Sequence, residues 1–278
     1  MKNVLYTLII GLFLFSACDK MEEPYIRIPE VIQVTDTFPS LDRASVYRKI
    51  LIEEYTGHRC AYCPLGHAKL DELAHFFGDT LVAICIHAGD LAIPRGSYTY
   101  DFRTKEGVEL HADFGISTLP AAVVNRTKFG GNKWALSKEQ WQNAIQNVAR
   151  NVYAGIQIIT KKSDNILDIS TKTTMIAAYG SPLRLSVFLM EDNIIQSQLN
   201  DDVRDEQYQH NHVLRASCNG TYGAPLSPDG ILLKDSAYLS GYRLDFKGKD
   251  WKIENTSVVV ILHDPATKEV LQVEVMKQ

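Results

Sequence analysis

Apolar and polar positions divide the chain into two textures. Between about Tyr47 and Val152, apolar runs of strand length alternate with stretches of helical period. Ile50 to Thr56 reads as a strand. Leu65 to Phe77 reads as a helix, because Leu70, Leu73, Ala74 and Phe77 recur at a spacing that places them on one face. Thr80 to His87 is predicted to be a buried strand by its length and β-branched content. A long insertion, Ala88 to Gly115, carries the turn signal Pro94-Arg95-Gly96, the aromatic stretch Tyr98 to Phe102 and a helical segment from Thr104 to Phe114. Beyond Thr118-Leu119-Pro120 come a strand over Ala121 to Arg126, a turn at Gly130-Gly131-Asn132 and a second hairpin strand near Lys133 to Leu136. Ser137-Lys138-Glu139-Gln140 then forms a capping box, and Trp141, Ala144, Ile145, Val148 and Val152 make the apolar face of the helix it opens. The predicted order is β-α-β-α-β-β-α.

From about Tyr153 the helical period disappears. Gly155 to Thr160, Ile166 to Thr173, Leu183 to Glu191, His212 to Cys218, Ala237 to Phe246, Thr256 to His263 and Val270 to Met276 read as seven short strands separated by polar turns. That spacing predicts an all-β sandwich of immunoglobulin-like type. Ahead of both regions, Met1-Lys2-Asn3 and the apolar stretch Val4 to Ala17 have the layout of a secretory signal and are too short to span a bilayer. Four segments follow: a signal peptide at 1–17, a tether at 18–47, an α/β domain at 48–152 and a β-sandwich domain at 153–278. Within the tether, Pro24, Pro29 and Pro39 break regular structure, while Ile26-Arg27-Ile28 and Val31-Ile32-Gln33-Val34 could add edge strands.

Composition narrows the function classes. The chain has 278 residues, 45% of them hydrophobic and 22% charged, with a formal net charge of -4. Loss of the leader with Lys2 leaves 28 basic against 33 acidic side chains and no basic cluster, which argues against nucleic acid as a partner. Ser16-Ala17-Cys18 resembles a bacterial lipobox, which implies a diacylated Cys18 as mature N-terminus and membrane attachment through that lipid. The acidic patch Asp19 to Glu23 behind it resembles the post-cysteine signal that Bacteroidetes lipoproteins use to reach the cell surface. A periplasm-facing anchor is the alternative.

The remaining cysteines are Cys60, Cys63, Cys85 and Cys218, too scattered for a disulfide scaffold. Cys60-Ala61-Tyr62-Cys63 lies where a strand gives way to a helix, beside unpaired helix N–H groups that favour a thiolate. Arg59 and His58, just before it, act in the same direction. Two intervening residues let one thiol attack and the other resolve. An inert disulfide and a zinc site are the alternatives. Zinc would need further ligands, for which His58 and His67 are the near candidates, and neither metal nor cofactor is expected. Cys85, mid-strand, reads as a small buried hydrophobe. His210-Asn211-His212 and Asn200-Asp201-Asp202 read as polar loops more readily than as a cation site, and His87 either faces the dithiol or ends its strand. Asp235-Ser236-Ala237 resembles a short Bacteroidetes O-glycosylation motif.

The dithiol motif together with Thr118-Leu119-Pro120 before a strand resembles the thioredoxin superfamily over residues 47–152. The resemblance implies Cys60 as nucleophile, Cys63 as resolving thiol and Pro120 as a cis-proline. Thr118 and the backbone of Leu119 would then pair with an extended substrate. It also implies a buried acid six residues before the nucleophile. That spacing falls on Glu54, with Glu53 adjacent, and strand alternation turns one of the two inward and leaves the other toward solvent. The leader, the segment Glu53-Glu54-Tyr55-Thr56-Gly57-His58-Arg59-Cys60-Ala61-Tyr62-Cys63-Pro64, and His210 to Arg215 together resemble the Bacteroidetes lipoprotein family called outer membrane protein 28. That family implies an outer-membrane location and adhesive or receptor-like roles. Two functions follow as expectations: thiol-disulfide exchange on exported polypeptides, or a surface binding protein or adhesin whose dithiol is structural.

Overall fold

The computed structural model describes residues 30–278; the signal peptide, Cys18, the acidic patch and Ile26 to Ile28 lie outside the described residues. In chain order the elements are β1 (Glu30–Val31), β2 (Ile50–Thr56), α1 (Cys63–Phe77), β3 (Leu81–His87), α2 (Lys105–Asp113), β4 (Ala121–Val124), α3 (Lys138–Gln146), β5 (Ala154–Ser163), β6 (Ile166–Met175), β7 (Arg184–Glu191), β8 (Ile194–Ile195), β9 (Gln198–Asn200), β10 (Val203–Asp205), β11 (Gln209–His210), β12 (Val213–Ser217), β13 (Ala224–Pro225), β14 (Ala237–Asp245), β15 (Thr256–His263) and β16 (Val270–Lys277). The result is a mixed α/β protein. Helix α1 starts two residues earlier than its apolar face suggests, because Pro64 supplies a helical φ and needs no N–H partner in the first turn. Helix α2 is capped by Thr104, whose side chain accepts from Gly107 N–H at 2.9 Å.

All seven strands expected beyond Tyr153 form, but they do not make a separately closed, immunoglobulin-like pair of sheets. Four of them enter the sheet of the first half, giving the order β16-β15-β7-β12-β3-β2-β4, with β13 paired to β7. The junction is the free edge of β3. Its Cys85 N–H donates to His212 O at 2.7 Å, and β12 runs parallel beside it. An unpaired edge of buried backbone must find partners, and these come from the second half of the chain. The sheet then curls until its ends meet. Val270 N–H donates to Asn125 O at 3.1 Å, and Asn125 Nδ2 donates to Val270 O at 2.7 Å. Both large sheets therefore draw strands from either side of residue 152.

A second sheet, β1-β14-β6-β5, covers part of the first. Ile156, Ile158, Leu167, Ile169 and Leu244 from it pack on Leu185, Val187, Leu189, Val258 and Val260. Helices α1 and α3 cover Ile50, Ile52, Ala83, Cys85 and Val124, whereas Leu51, Tyr55, Val82, Ile84 and Ile86 face α2 with Phe114 and Ile116. Both faces of β2 and β3 are thus buried, as in a sheet with layers on either side. The described part of the tether, residues 30–47, lies along the four-stranded sheet: β1 pairs with β14, and Asp36 accepts from Ser170 Oγ at 2.6 Å.

Candidate functional site

Cys60 and Cys63 are joined as a disulfide at the junction of β2 and α1, with Cα atoms 5.4 Å apart. Cys63 is the first helical residue and Tyr62 the N-cap, its ring exposed. The turn is set locally by Cys60 N–H donating to Gly57 O at 2.9 Å and Cys63 N–H to Cys60 O at 3.3 Å. Gly57 has no alternative, since a Cβ there would lie 2.6 Å from the backbone of Leu91. Arg59 is held by the same loop: its N–H donates to Leu91 O at 3.0 Å and its guanidinium to Asp90 O at 2.9 Å.

The Leu119–Pro120 peptide bond is cis. Pro120 packs against α1 at Gly66, where an added Cβ would lie 2.7 Å from Pro120 Cβ and 2.5 Å from Glu54 Oε1. Thr118 is exposed and Leu119 half-buried beside it. One glycine thus lets the proline loop, the helix of Cys63 and the acid from β2 meet. Gly66→Ala is expected to lower stability by about 1–3 kcal/mol through overpacking, read as a fall in the urea unfolding midpoint; an unchanged midpoint would show that the three elements can move apart freely.

The expectation that one of the adjacent glutamates faces solvent is corrected, because both are fully buried. Alternation sends them to opposite faces of a strand that is covered on both. Glu53 meets Arg126, also fully buried, with Arg126 Nε 3.0 Å from Oε2 and Nη2 2.6 Å from Oε1. Glu54 points to the α1 face and sits beside Cys85 in the parallel register of β2 and β3. Cys85 Sγ donates to Glu54 Oε2 at 3.3 Å, and Oε1 has no hydrogen-bond partner. Burial pushes the Glu54 carboxyl up to about 8, against the hydrogen bond from Cys85, and Asp71 adds to the rise. Near neutral pH the group is a protonated acid under the first turns of α1.

One histidine touches this acid and leads to a cluster of three more. His67 Nε2 lies 3.8 Å from Glu54 Oε1 and 2.9 Å from Thr56 Oγ1, and His67 Nδ1 is 2.7 Å from Tyr208 OH. Burial, with His212 nearby, lowers His67 to about 4, so the Glu54–His67 contact joins two neutral groups and not an ion pair. His87 stacks on Phe102 with ring centres 4.3 Å apart and lies 5.4 Å from His210, which itself packs 4.5 Å from Phe102. His58 stacks on Tyr98 at 5.5 Å. Both ring nitrogens of His58 and His210 and Nδ1 of His87 are buried without partners. A cavity of about 40 Å³ opens between His67, Cys85, His87, Tyr208 and His210. Among the described residues, no three His, Cys, Asp or Glu side chains converge as metal ligands.

The remaining sequence candidates scatter. Cys85 and Cys218 are free thiols buried in different cores. His212 pairs with Asp192 at 3.4 Å. Asn200-Asp201-Asp202 forms the turn between β9 and β10, with Asp201 at a φ of 56°. Asp235 and Ser236 precede β14 at the surface, Asp235 paired with Arg43. The feature that sequence reasoning missed is what lies over the dithiol. Cys60 is only 2% exposed, because residues 198–201 cross it: Leu199 N–H donates to His58 O at 2.8 Å, Asp201 N–H to Ala61 O at 3.0 Å, and Gln198 Nε2 to Cys60 O at 3.0 Å. Nothing local signals a contact between residues so far apart in the chain.

Among solved structures the chain is similar to HBP35 of Porphyromonas gingivalis, at a TM-score of 0.65 and 16% identity, over 84% of this chain and 76% of that one. It is similar to a structural-genomics protein from Agrobacterium tumefaciens at a TM-score of 0.50 and 13% identity, over 84% and 96%. A domain of the outer membrane lipoprotein Omp28 from Porphyromonas gingivalis aligns at a TM-score of 0.31 and 23% identity, over 45% and 88%. The first two likenesses concern the fold. No curated protein matches the chain. Among the described residues no helix is long and apolar enough to cross a membrane. Residues 108–278 match the family described as outer membrane protein Omp28, and the chain belongs to that family of the outer membrane.

Proposed function

We propose that this outer-membrane protein is anchored by lipid on Cys18 and carries a thioredoxin-like site that exchanges disulfides with exported polypeptides. The observation that carries this reading is the fully buried Glu54, its Oε1 unpartnered among the described residues, where α1 with Cys63 meets the Pro120 loop. In the oxidising direction a substrate thiolate attacks Cys60 sulfur, forms a mixed disulfide and displaces Cys63 as thiolate. Glu54 would supply the proton that Cys63 takes up. A second substrate thiolate then attacks the mixed disulfide and releases Cys60, leaving the substrate with a disulfide and the protein with two thiols. The reverse sequence reduces a substrate disulfide. Thr118 and Leu119 would offer backbone to the substrate, and no cofactor takes part.

A second reading keeps the fold and drops the turnover: a surface binding protein or adhesin whose disulfide is structural. The burial of Cys60 favours it. Expression of Cys63→Ala in the native host decides between them, because Cys60 can then no longer be released by its partner. DTT-sensitive adducts through Cys60 are expected. Absence of adducts, together with a wild-type pair that does not exchange in glutathione buffers, would remove the oxidoreductase reading.

A further inference from the structure

The carbonyl groups of Gly57, His58, Cys60 and Ala61 all accept hydrogen bonds from one short segment. Leu199 and Asp201 supply main-chain N–H groups, and the Gln198 amide bridges Gly57 O at 3.3 Å and Cys60 O at 3.0 Å. Leu199 in β9 and Asp201 in the turn after it meet carbonyls three residues apart in the turn before α1, so a polypeptide main chain satisfies these acceptors without forming a regular strand ladder. The segment belongs to a hairpin, β9–β10, in which Leu199 faces Arg204 and Asn200 faces Val203.

What holds this hairpin is mostly polar. Val203 is 63% exposed, and Arg204 reaches Ser97 O at 3.0 Å and Ser197 Oγ at 2.8 Å. A cavity of about 110 Å³ separates the hairpin from the loop at 97–102, lined by His58, Tyr98, Phe102, Ser197 and Arg204. Gln198 Oε1 is buried without a partner. Few apolar contacts, an adjoining cavity and an unsatisfied amide oxygen are marks of a segment that opens below the global unfolding free energy.

We propose that the carbonyl row at Gly57 to Ala61 is a polypeptide-docking edge, that residues 198–201 are its resident occupant, and that an incoming extended polypeptide reaches Cys60 by displacing them. The proposal rests on the exchange reading for its substrate, though the covering of the disulfide does not depend on turnover. The hairpin lifts, the carbonyls of His58 and Ala61 are vacated while those of Gly57 and Cys60 keep their turn bonds from Cys60 and Cys63 N–H, and the substrate backbone takes the places left as its thiolate meets Cys60 sulfur. Gln198 shares in keeping the edge closed with the Leu199 and Asp201 N–H groups, its two amide hydrogens divided among Cys60 O, Gly57 O and Leu199 O.

The test compares full-length wild type with Gln198→Ala, which removes the amide and its contacts to Gly57 O, Cys60 O and Leu199 O, and Leu199→Pro, which removes the N–H aimed at His58 O. The oxidised proteins are reduced with DTT, and separately offered reduced, unfolded ribonuclease A as a polypeptide dithiol. Each variant is expected to speed reduction by DTT about tenfold, the effect of losing one or two hydrogen bonds from the closed state. Hydrogen exchange on wild type gives a readout free of any substitution. Leu199 and Asp201 amides should exchange through local opening, well before those of β7 and β15. Equal rates in all three proteins, or Leu199 and Asp201 exchanging only with the core strands, would overturn the proposal. Faster reduction of the variants by DTT with no reaction toward ribonuclease A would keep the cover, reject a polypeptide as the incoming occupant and sink the exchange reading. Reaction with ribonuclease A at the same rate in all three would keep exchange and sink the cover.

Discussion

Replacing Arg126 with Met is expected to lower the unfolding free energy by about 3–5 kcal/mol, the cost of removing one partner of a buried ion pair. Both residues are fully buried, and among the described residues Glu53 receives its hydrogen bonds from Arg126 alone. Without the guanidinium, a carboxylate stays inside the curled sheet with neither countercharge nor donor. The backbone contributes little to the change, since Arg126 already has a φ of 48° and Met, another unbranched side chain, meets the same constraint. Loss of the guanidinium between Phe114 and Tyr222, 5.9 and 5.7 Å from their ring centres, adds a smaller share. Against a total stability of roughly 5–15 kcal/mol this is a large fraction. Urea unfolding followed by circular dichroism measures it. The double variant Glu53→Gln with Arg126→Met should recover part of the loss, because no charge is then stranded. A single variant within 1 kcal/mol of wild type, or a double variant no better than the single, would show that water reaches Glu53.

That ion pair also shows where sequence reasoning stopped. Ile50-Leu51-Ile52 announces a strand, and alternation correctly sends Glu53 and Glu54 to opposite faces. Whether either face is wet depends on layers contributed elsewhere: α1 over one, and α2 with Phe114 over the other. The same holds for the larger architecture. Strand existence is written in local periodicity, so all seven C-terminal strands were legible. Their pairing was not, because the bond between Cys85 and His212 joins residues far apart in sequence, and no local pattern says which free edge a strand will complete. The dithiol and the Leu119-Pro120 pair were legible as short chemical motifs. The Gln198 cover was not, since a polar stretch such as Gln196 to Asp205 reads as a solvated loop until the carbonyls it meets are known.

The histidine cluster leads to the other large effect: stability should be greatest near pH 6.5 and should fall steeply toward pH 4. Burial lowers His58 and His67 to about 4 and His210 to about 3, and it lowers His87 well below the ordinary value of 6.5. In the unfolded chain all four return to that ordinary value. Between about pH 6.5 and 4 the unfolded state therefore binds more protons than the folded one, so stability is lost as pH falls, by up to about 1.4 kcal/mol per unit for each histidine. Glu54 works in the opposite sense. Its folded value of about 8 exceeds its ordinary value of 4.5, so the folded state holds the extra proton and stability declines as pH rises through that window. These four histidines, joined by His263, which burial lowers to about 4, and by His111, which burial also lowers, outweigh the acids that burial raises, Glu54, Glu106 and Glu191, below pH 6.5; above it the histidines are silent and Glu54 acts, which makes the acid limb steep and the alkaline limb shallow. Carboxylates held low by partners, such as Asp36 beside Lys161 and Asp113 beside Tyr222, contribute only below about pH 4. Urea midpoints across pH 4.5 to 8.5 test the shape. His210→Phe should flatten the acid limb as one of six lowered histidines, because Phe fits between Phe102 and Tyr208, whose rings lie 4.5 and 4.9 Å from that of His210. Glu54→Gln should flatten the alkaline limb. A stability maximum at pH 5, or an acid limb that His210→Phe leaves unchanged, would mean that these imidazoles are hydrated or hydrogen-bonded in solution and take up protons without cost.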